Sequence, residues 1–147
     1  MVKIESILNN YELYRNELEA DLCLLQNMLG LDAKEPGETI AELGQMLRFI
    51  KGCTDFMYDV RVEQRLEHAE LRFKQISMLD WLIRSRTMEE QKIINALYVE
   101  GLSLAKAAER FYISKSTMFR RKQNLLSSLE IDIQHHEVFE ELWNGTE

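Results

Sequence analysis

The chain has 147 residues, of which 46% are apolar, and a formal net charge of -7. This length and apolar content suffice for one domain or two small ones with a buried core, which excludes a disordered chain. The single proline, the six glycines and the richness in leucine, glutamate and methionine predict an almost wholly helical, all-α protein.

Hydropathy and cysteine usage predict the compartment. No apolar run approaches the length of a membrane-spanning helix, and no secretory segment follows Met1. Cys23 and Cys53 are isolated thiols without the spacing of a metal or redox site. We therefore expect a cytoplasmic protein with no membrane partner.

The first predicted element is an amphipathic, coiled-coil-like helix over residues 1–30. Its inward positions alternate between spacings of four and three residues, as in a heptad seam, and Arg15 is the one polar residue among them. A dimer-forming coiled coil and packing of the same stripe against helices within the chain both fit this pattern. In the dimer interpretation, the oligomerisation residues are Ile4, Leu8, Tyr11, Leu18, Leu22, Leu25 and Leu29.

A loop over residues 31–38 separates this helix from a middle helical region, residues 39–86. Thr39 begins the region as the first residue of a capping box, which is a pattern that starts a helix. Gly52 predicts a kink or a break. A second amphipathic run then begins at Phe56 and continues to the end of the region.

Residues 87–130 are predicted to hold three helices, each with its own start signal. Thr87 begins a second capping box, and Gly101 can adopt the left-handed backbone that ends a helix. Ser103 and Ser114 are N-cap candidates for the two helices that follow. Two short helices joined by a tight turn, the second of them basic, are the sequence form of a helix-turn-helix DNA-binding domain.

The last of these three helices has one apolar and one polar side. Met118 and Leu125 share the apolar side, which is expected to face the core. Tyr112, in the preceding turn, stands where a residue with free φ is often found, so the geometry of the turn is left open. The residues expected to point away from the core are Ser116, Phe119, Arg120 and Gln123.

The net charge is distributed unevenly along the chain. Residues 101–124 sum to +5, whereas residues 1–47 and residues 125–147 each sum to -6. This segregation presents one basic face to phosphates and keeps the rest of the molecule away from them. A basic run can also be merely a solvated helix face, but the cap and turn before it favour DNA binding. The residues expected to contact double-stranded DNA are Lys106, Arg110, Lys115, Ser116, Thr117, Phe119, Arg120, Arg121, Lys122 and Gln123.

One stretch, residues 103–121, combines a Ser-Leu start, an alanine at the helix crossing, an Ile-Ser turn and a Ser-Thr pair followed by basic residues. These positions are Ser103-Leu104, Ala108, Ile113-Ser114 and Ser116-Thr117. The stretch resembles the region-4 helix-turn-helix of bacterial sigma factors. The layout of the whole chain is similar to that of phage late-gene regulators of the RinA and ArpU type. This resemblance implies an activator of phage packaging or lysis genes that acts in the cytoplasm of a bacterial host cell.

Residues 131–147 are predicted to form an acidic amphipathic tail. Phe139, Leu142 and Trp143 could contact a protein partner such as RNA polymerase or pack back onto the core, and the sequence leaves both open. The adjacent pair His135-His136 cannot share a helix face, and no further ligand completes a metal site. We expect solvated histidines, with no metal and no cofactor.

No catalytic pattern is visible: the chain has no phosphate-cradling glycine loop, no nucleophile elbow and no zinc-protease helix. A site-specific recombinase would need a nucleophile with clustered arginines, which this short acidic chain does not offer. We therefore expect a non-enzymatic, sequence-specific DNA-binding transcriptional regulator that forms a homodimer. The alternatives are a phage small terminase subunit, which also combines a helix-turn-helix with oligomerising helices, and an interaction adaptor that no longer touches DNA.

Overall fold

A computed structural model of the chain describes residues 3–32, 34–55 and 59–144. Every regular element in these ranges is a helix, so the predicted all-α class is confirmed. None of these helices combines the length and the apolar character that crossing a membrane requires. The chain divides into two compact units, which we name unit 1 (Met1–Glu12 with Met78–Glu147) and unit 2 (Leu13–Ser77).

The N-terminal segment is two helices rather than the single predicted one. Helix α1 spans Ile4–Asn9 and helix α2 spans Tyr11–Met28, with the break at Asn10. The side-chain amide of Asn10 donates to the carbonyl oxygen of Ser6 at 3.0 Å, and asparagine commonly interrupts regular structure by such local bonds. The predicted domain over residues 1–30 is therefore divided, because α1 belongs to unit 1 and most of α2 to unit 2.

Unit 2 combines most of α2 with helix α3 (Ile40–Cys53) and most of helix α4 (Val60–Arg84). Thr39 is the N-cap of α3, since its hydroxyl oxygen accepts from the amide of Glu42 at 3.1 Å. The Glu42 carboxylate accepts from the Thr39 hydroxyl at 2.9 Å and not from the Thr39 amide, so only half of the predicted capping box forms. Helix α3 also ends where the sequence predicted a break. The predicted start of the second amphipathic run, at Phe56, lies outside the described residues.

Two groups of polar contacts join α2 to α4 within unit 2. The Oδ1 atom of Asp21 accepts from Nη1 of Arg65 at 3.0 Å, and its Oδ2 atom lies 2.5 Å from Nδ1 of His68. The carboxylate of Glu17 lies 2.6 Å from Nε of Arg72. The side chain of Asp21 is only 5% exposed, so this carboxylate depends on its two partners for the contacts it has lost to water.

The predicted heptad seam is covered within the chain. Six of its apolar residues are buried, and the seventh, Leu29, is half-buried. In this conformation the seam is not a free surface for a coiled coil, because helices of the same chain already take up its apolar stripe. This corrects the assignment of an oligomer surface to Ile4, Leu8, Tyr11, Leu18, Leu22, Leu25 and Leu29, and the homodimer stays a prediction without an assigned surface.

Unit 1 contains α1 and the C-terminal half of the chain. Helix α5 (Met88–Ile94) continues into one π-helical turn, Asn95–Val99, which the sequence did not signal. Helices α6 (Leu104–Arg110), α7 (Lys115–Gln134) and α8 (Glu137–Asn144) follow. Helix α1 packs against α7 and against the π-helical turn.

The residues predicted to begin and end the first helix of the 87–130 region do so. The hydroxyl oxygen of Thr87 accepts from the amide of Glu90 at 3.2 Å, and the Glu90 carboxylate accepts from the Thr87 amide, which completes the capping box. Gly101 has a φ of +71°, which is the left-handed conformation expected after a helix end.

The C-terminal segment differs from the predicted acidic tail. Helix α7 runs past residue 130 to Gln134, so the predicted boundary at 130 falls inside a helix. In α8, Phe139, Leu142 and Trp143 are buried, and the rings of Phe139 and Trp143 stack with centroids 4.5 Å apart. These three side chains therefore pack back onto the fold and are not presented to a protein partner in this conformation.

Candidate nucleic-acid interface

Helices α6 and α7 lie against each other and are joined by a four-residue turn, residues 111–114. The hydroxyl oxygen of Ser103 accepts from the amide of Lys106 at 3.2 Å, and that of Ser114 accepts from the amide of Thr117 at 3.1 Å. Both serines are N-caps, as the sequence predicted. The two helices therefore begin at positions that local side-chain chemistry fixes.

The turn has a left-handed residue that is not glycine. Tyr112 has a φ of +57° and is 96% exposed. Its amide donates to the carbonyl of Glu109 at 3.2 Å, and the next amide, of Ile113, donates to the carbonyl of Ala108 at 3.0 Å. Ala107 and Ala108 are the buried residues of α6, and their small side chains allow α7 to approach closely. The left-handed turn resolves the geometry that the sequence left open, at a cost of about 1–2 kcal/mol for a side chain with Cβ.

The first half of α7 is divided into a buried side and an exposed side. Met118 and Leu125 are buried, together with Leu126 and Leu129 further along the helix. This confirms the predicted apolar side. The side chains that are exposed on the other side are those predicted to point away, Ser116, Phe119, Arg120 and Gln123.

Two cations predicted to contact DNA are held in exposed ion pairs. Arg110 pairs with Glu100, and Arg121 of α7 pairs with Glu89 of α5. The side chain of Arg121 is 42% exposed and that of Glu89 is 61% exposed. Exposed pairs of this kind contribute about 0–1 kcal/mol to stability, so a phosphate group can replace the carboxylate at little cost.

Lys122 is in a different position from the other cations. Its side chain is only 19% exposed, and its Nζ atom lies 3.5 Å from Oε2 of Glu5 in α1. The phenol of Tyr98, in the π-helical turn, donates to the same Glu5 oxygen at 3.1 Å. Burial and the neighbouring Glu5 carboxylate raise the pKa of Tyr98, so the phenol keeps its proton. A DNA contact by Lys122 would require this cluster to open, which corrects its placement on the exposed basic face.

Three further predicted contacts, Lys106, Lys115 and Arg120, have exposed side chains. Among the residues that the structure describes, no ion pair engages these three cations. Thr117 is half-buried, and its hydroxyl oxygen accepts from the hydroxyl of Ser114 at 2.8 Å. The Thr117 hydroxyl therefore stabilises the first turn of α7 and is less accessible to DNA than the exposed side chains.

Arg86 orients α7 and was missed by sequence reasoning. Its guanidinium contacts Asp132 at 2.6 Å and Glu90 at 3.2 Å, and it also donates to the hydroxyl of Ser128. Burial opposes ionisation of Glu90, but hydrogen bonds from Thr87 and the charge of Arg86 hold the pKa of Glu90 below its usual value. The spacing of Arg86 and Glu90 could have suggested their pair, whereas nothing local points to the two partners on α7.

The adjacent histidines lie apart from this surface. His135 is exposed, and the ring of His136 lies edge-on to Trp81 with centroids 5.1 Å apart. Within the described residues no group of three or more His, Cys, Asp or Glu side chains could hold a metal ion.

Comparison of the whole chain with models of protein families, with curated proteins and with solved structures finds no match. The functional argument therefore rests on the residues of α6, the turn and α7.

Proposed function

We propose that the protein is a sequence-specific regulator of transcription that binds double-stranded DNA, with α6 and α7 as its helix-turn-helix. The observation that carries the proposal is the exposed side of the first turns of α7, where Ser116, Arg120 and Gln123 lie opposite the buried Met118. An α-helix fits the major groove of B-DNA, and the N-terminal residues of a recognition helix are those that reach base edges.

The distribution of charge supports the proposal that the exposed side of α7 faces DNA. Residues 101–124 sum to +5 in a chain whose net charge is -7. Lys106 and Lys115 are exposed at the starts of α6 and α7, where they can reach phosphates on either side of the groove. Arg120, one turn further along α7, has the length and the paired donors to bind O6 and N7 of a guanine.

The resemblance to RinA- and ArpU-type regulators supports a more specific role within this class. In that role the protein activates phage packaging or lysis genes in the cytoplasm of a bacterial host cell, without enzymatic activity. A homodimer would place two recognition helices on half-sites one helical turn apart, and RNA polymerase is the further partner that activation requires.

Binding-site selection from random double-stranded DNA tests the proposal. The wild-type protein should enrich one sequence. Arg120→Ala should weaken binding to that sequence by about 1–3 kcal/mol and flatten the preference at one base pair. Arg121→Ala is the matched control, because it removes the same charge one residue away and should weaken all sequences alike.

Two results would contradict the proposal at different levels. A wild-type protein that enriches no sequence would favour the adaptor interpretation over DNA recognition. An Arg120→Ala variant that keeps the full base preference of the parent would show that the recognition side of α7 has been assigned wrongly.

A further inference from the structure

We propose that Phe119 recognises a thymine through the C5-methyl group of that base, and that this contact is a determinant of sequence specificity. The inference rests on the proposed DNA-binding function and adds the base that one position of α7 selects. It concerns a side chain that neither the core nor the ion pairs of unit 1 explain.

Phe119 is 52% exposed, whereas its neighbour Met118 is fully buried. Most of the large apolar side chains of α7 are covered within unit 1, among them Leu125 and Leu129. The ring of Phe119 therefore gives up much of the burial that stabilises those residues. If a DNA base covered this ring in the complex, the ring would regain that stabilising burial.

The position of Phe119 places it on the proposed recognition side of α7. It follows Ser116 by three residues and precedes Gln123 by four, and side chains at these spacings are neighbours on a helix surface. Phe119 and Arg120 are about 100° apart around the helix axis. The two side chains therefore point towards different positions of the groove, so that Phe119 and Arg120 would contact different base pairs.

The chemistry of the ring restricts what it can recognise. A phenyl group has no hydrogen-bond donor or acceptor for the polar base edges, and the C5-methyl group of thymine is the one apolar group that the bases present in the major groove. Next to a cytosine, the same ring would cover the N4 amino group without offering it an acceptor. Phe119 thus favours thymine over cytosine for two reasons. It contacts the methyl group of thymine, and it would leave the N4 amino group of cytosine without a hydrogen-bond acceptor.

The chain offers a matched control for an exposed phenylalanine. Phe49 on α3 is 60% exposed, but it lies in unit 2, away from the basic segment in sequence. Single exposed apolar side chains are common on protein surfaces and need no binding partner. If exposure alone mattered, substituting either phenylalanine would have the same effect on DNA binding. We expect only substitution of Phe119 to change the base preference.

The experiment uses the full chain and the sequence enriched by the wild-type protein. Each thymine of that site is replaced singly by deoxyuridine, which pairs identically but lacks the C5-methyl group. At one thymine the replacement should lower the affinity of the wild type about fourfold, since one buried methyl group contributes about 0.8 kcal/mol and 1.4 kcal/mol corresponds to tenfold. Phe119→Ala should bind the two forms of that site equally, and Phe49→Ala should discriminate as the wild type does. Phe119→Leu, which keeps an apolar side chain, should retain a preference for the methylated base.

The outcomes separate this inference from the proposed function. Suppose the wild type selects a site and Phe119→Ala still discriminates thymine from deoxyuridine wherever the wild type does. The assignment of Phe119 is then overturned, and DNA recognition stands. The same holds if no thymine of the site is sensitive to loss of its methyl group. If the wild type selects no site at all, the proposed function fails and the role of Phe119 fails with it.

Discussion

In unit 2, the almost fully buried side chain of Asp21 in α2 contacts α4, whereas in unit 1 Arg121 and Glu89 meet at the surface. Both contacts join two helices by opposite charges. A buried charge that loses its partner is solvated poorly, whereas water solvates either member of an exposed pair well. The comparison indicates that the α2–α4 pairs stabilise the fold. If the proposed function holds, the exposed pairs around α7 would keep cations in place until a phosphate replaced the carboxylate.

The largest expected effect comes from removing both partners of Asp21. The double substitution Arg65→Ala and His68→Ala should lower the free energy of unfolding by about 3 kcal/mol, near the lower end for a broken buried pair, because truncation lets some water reach the carboxylate. Urea unfolding followed by circular dichroism measures it. As a control, Lys51→Ala breaks the pair with Glu70, which also lies in unit 2 at 3.0 Å but has an exposed lysine, and should cost less than about 1 kcal/mol. Equal costs for the two variants would contradict the distinction between buried and exposed pairs.

Salt should act on DNA binding much more than on the contacts of unit 2. If Lys106, Arg110, Lys115 and Arg121 each contact a phosphate, the logarithm of affinity should fall with the logarithm of salt concentration at a slope of about -3.6 per subunit. A slope of about -3.6 corresponds to a loss of roughly 150-fold between about 50 and 200 mM salt, which fluorescence anisotropy can follow. An affinity independent of salt would mean that the basic segment is not the contact surface. A slope of about -4.5 would indicate that Lys122 leaves Glu5 to contact DNA as well.

The smallest expected effect tests the exposed pairs directly. Glu89→Gln frees Arg121 from its carboxylate and should tighten DNA binding by up to about fivefold, with little change in stability. Glu67→Gln in unit 2 changes the net charge equally at another exposed carboxylate of the chain. If both variants tighten binding to the same extent, only the overall charge matters and the pair with Glu89 has no specific role.

The features that the sequence predicted correctly are those fixed by neighbouring residues. Thr87, Ser103 and Ser114 each cap a helix through an amide three residues ahead, so the bond can be read from spacing alone. The unusual position of Tyr112 was also visible, because a tight turn between two helices calls for a residue with free φ.

The features that the sequence did not predict depend on distant residues. Leucines at heptad spacing give a helix its apolar stripe, but the spacing does not say whether a second chain or the same chain covers it. The partners of Glu5 show the same limit. Tyr98 lies 93 residues further along the chain, and no local pattern in either segment indicates that the two side chains meet. For the candidate site, the outward residues of α7 were therefore predictable, and the ion pairs that occupy its cations were not.

The contacts of α1 also determine the order in which parts of the chain can fold during synthesis. The amide of Ile4 donates to the carboxylate of Glu130 at 2.8 Å, across 126 residues of sequence. The bond from Arg65 to Asp21 closes over only 44 residues. On the ribosome, unit 2 can therefore be complete while α1, which is synthesised before unit 2, has not yet met α7. We expect a chain that stops before α7 to leave Ile4, Ile7 and Leu8 uncovered, and such a product is a natural substrate for chaperones and proteases.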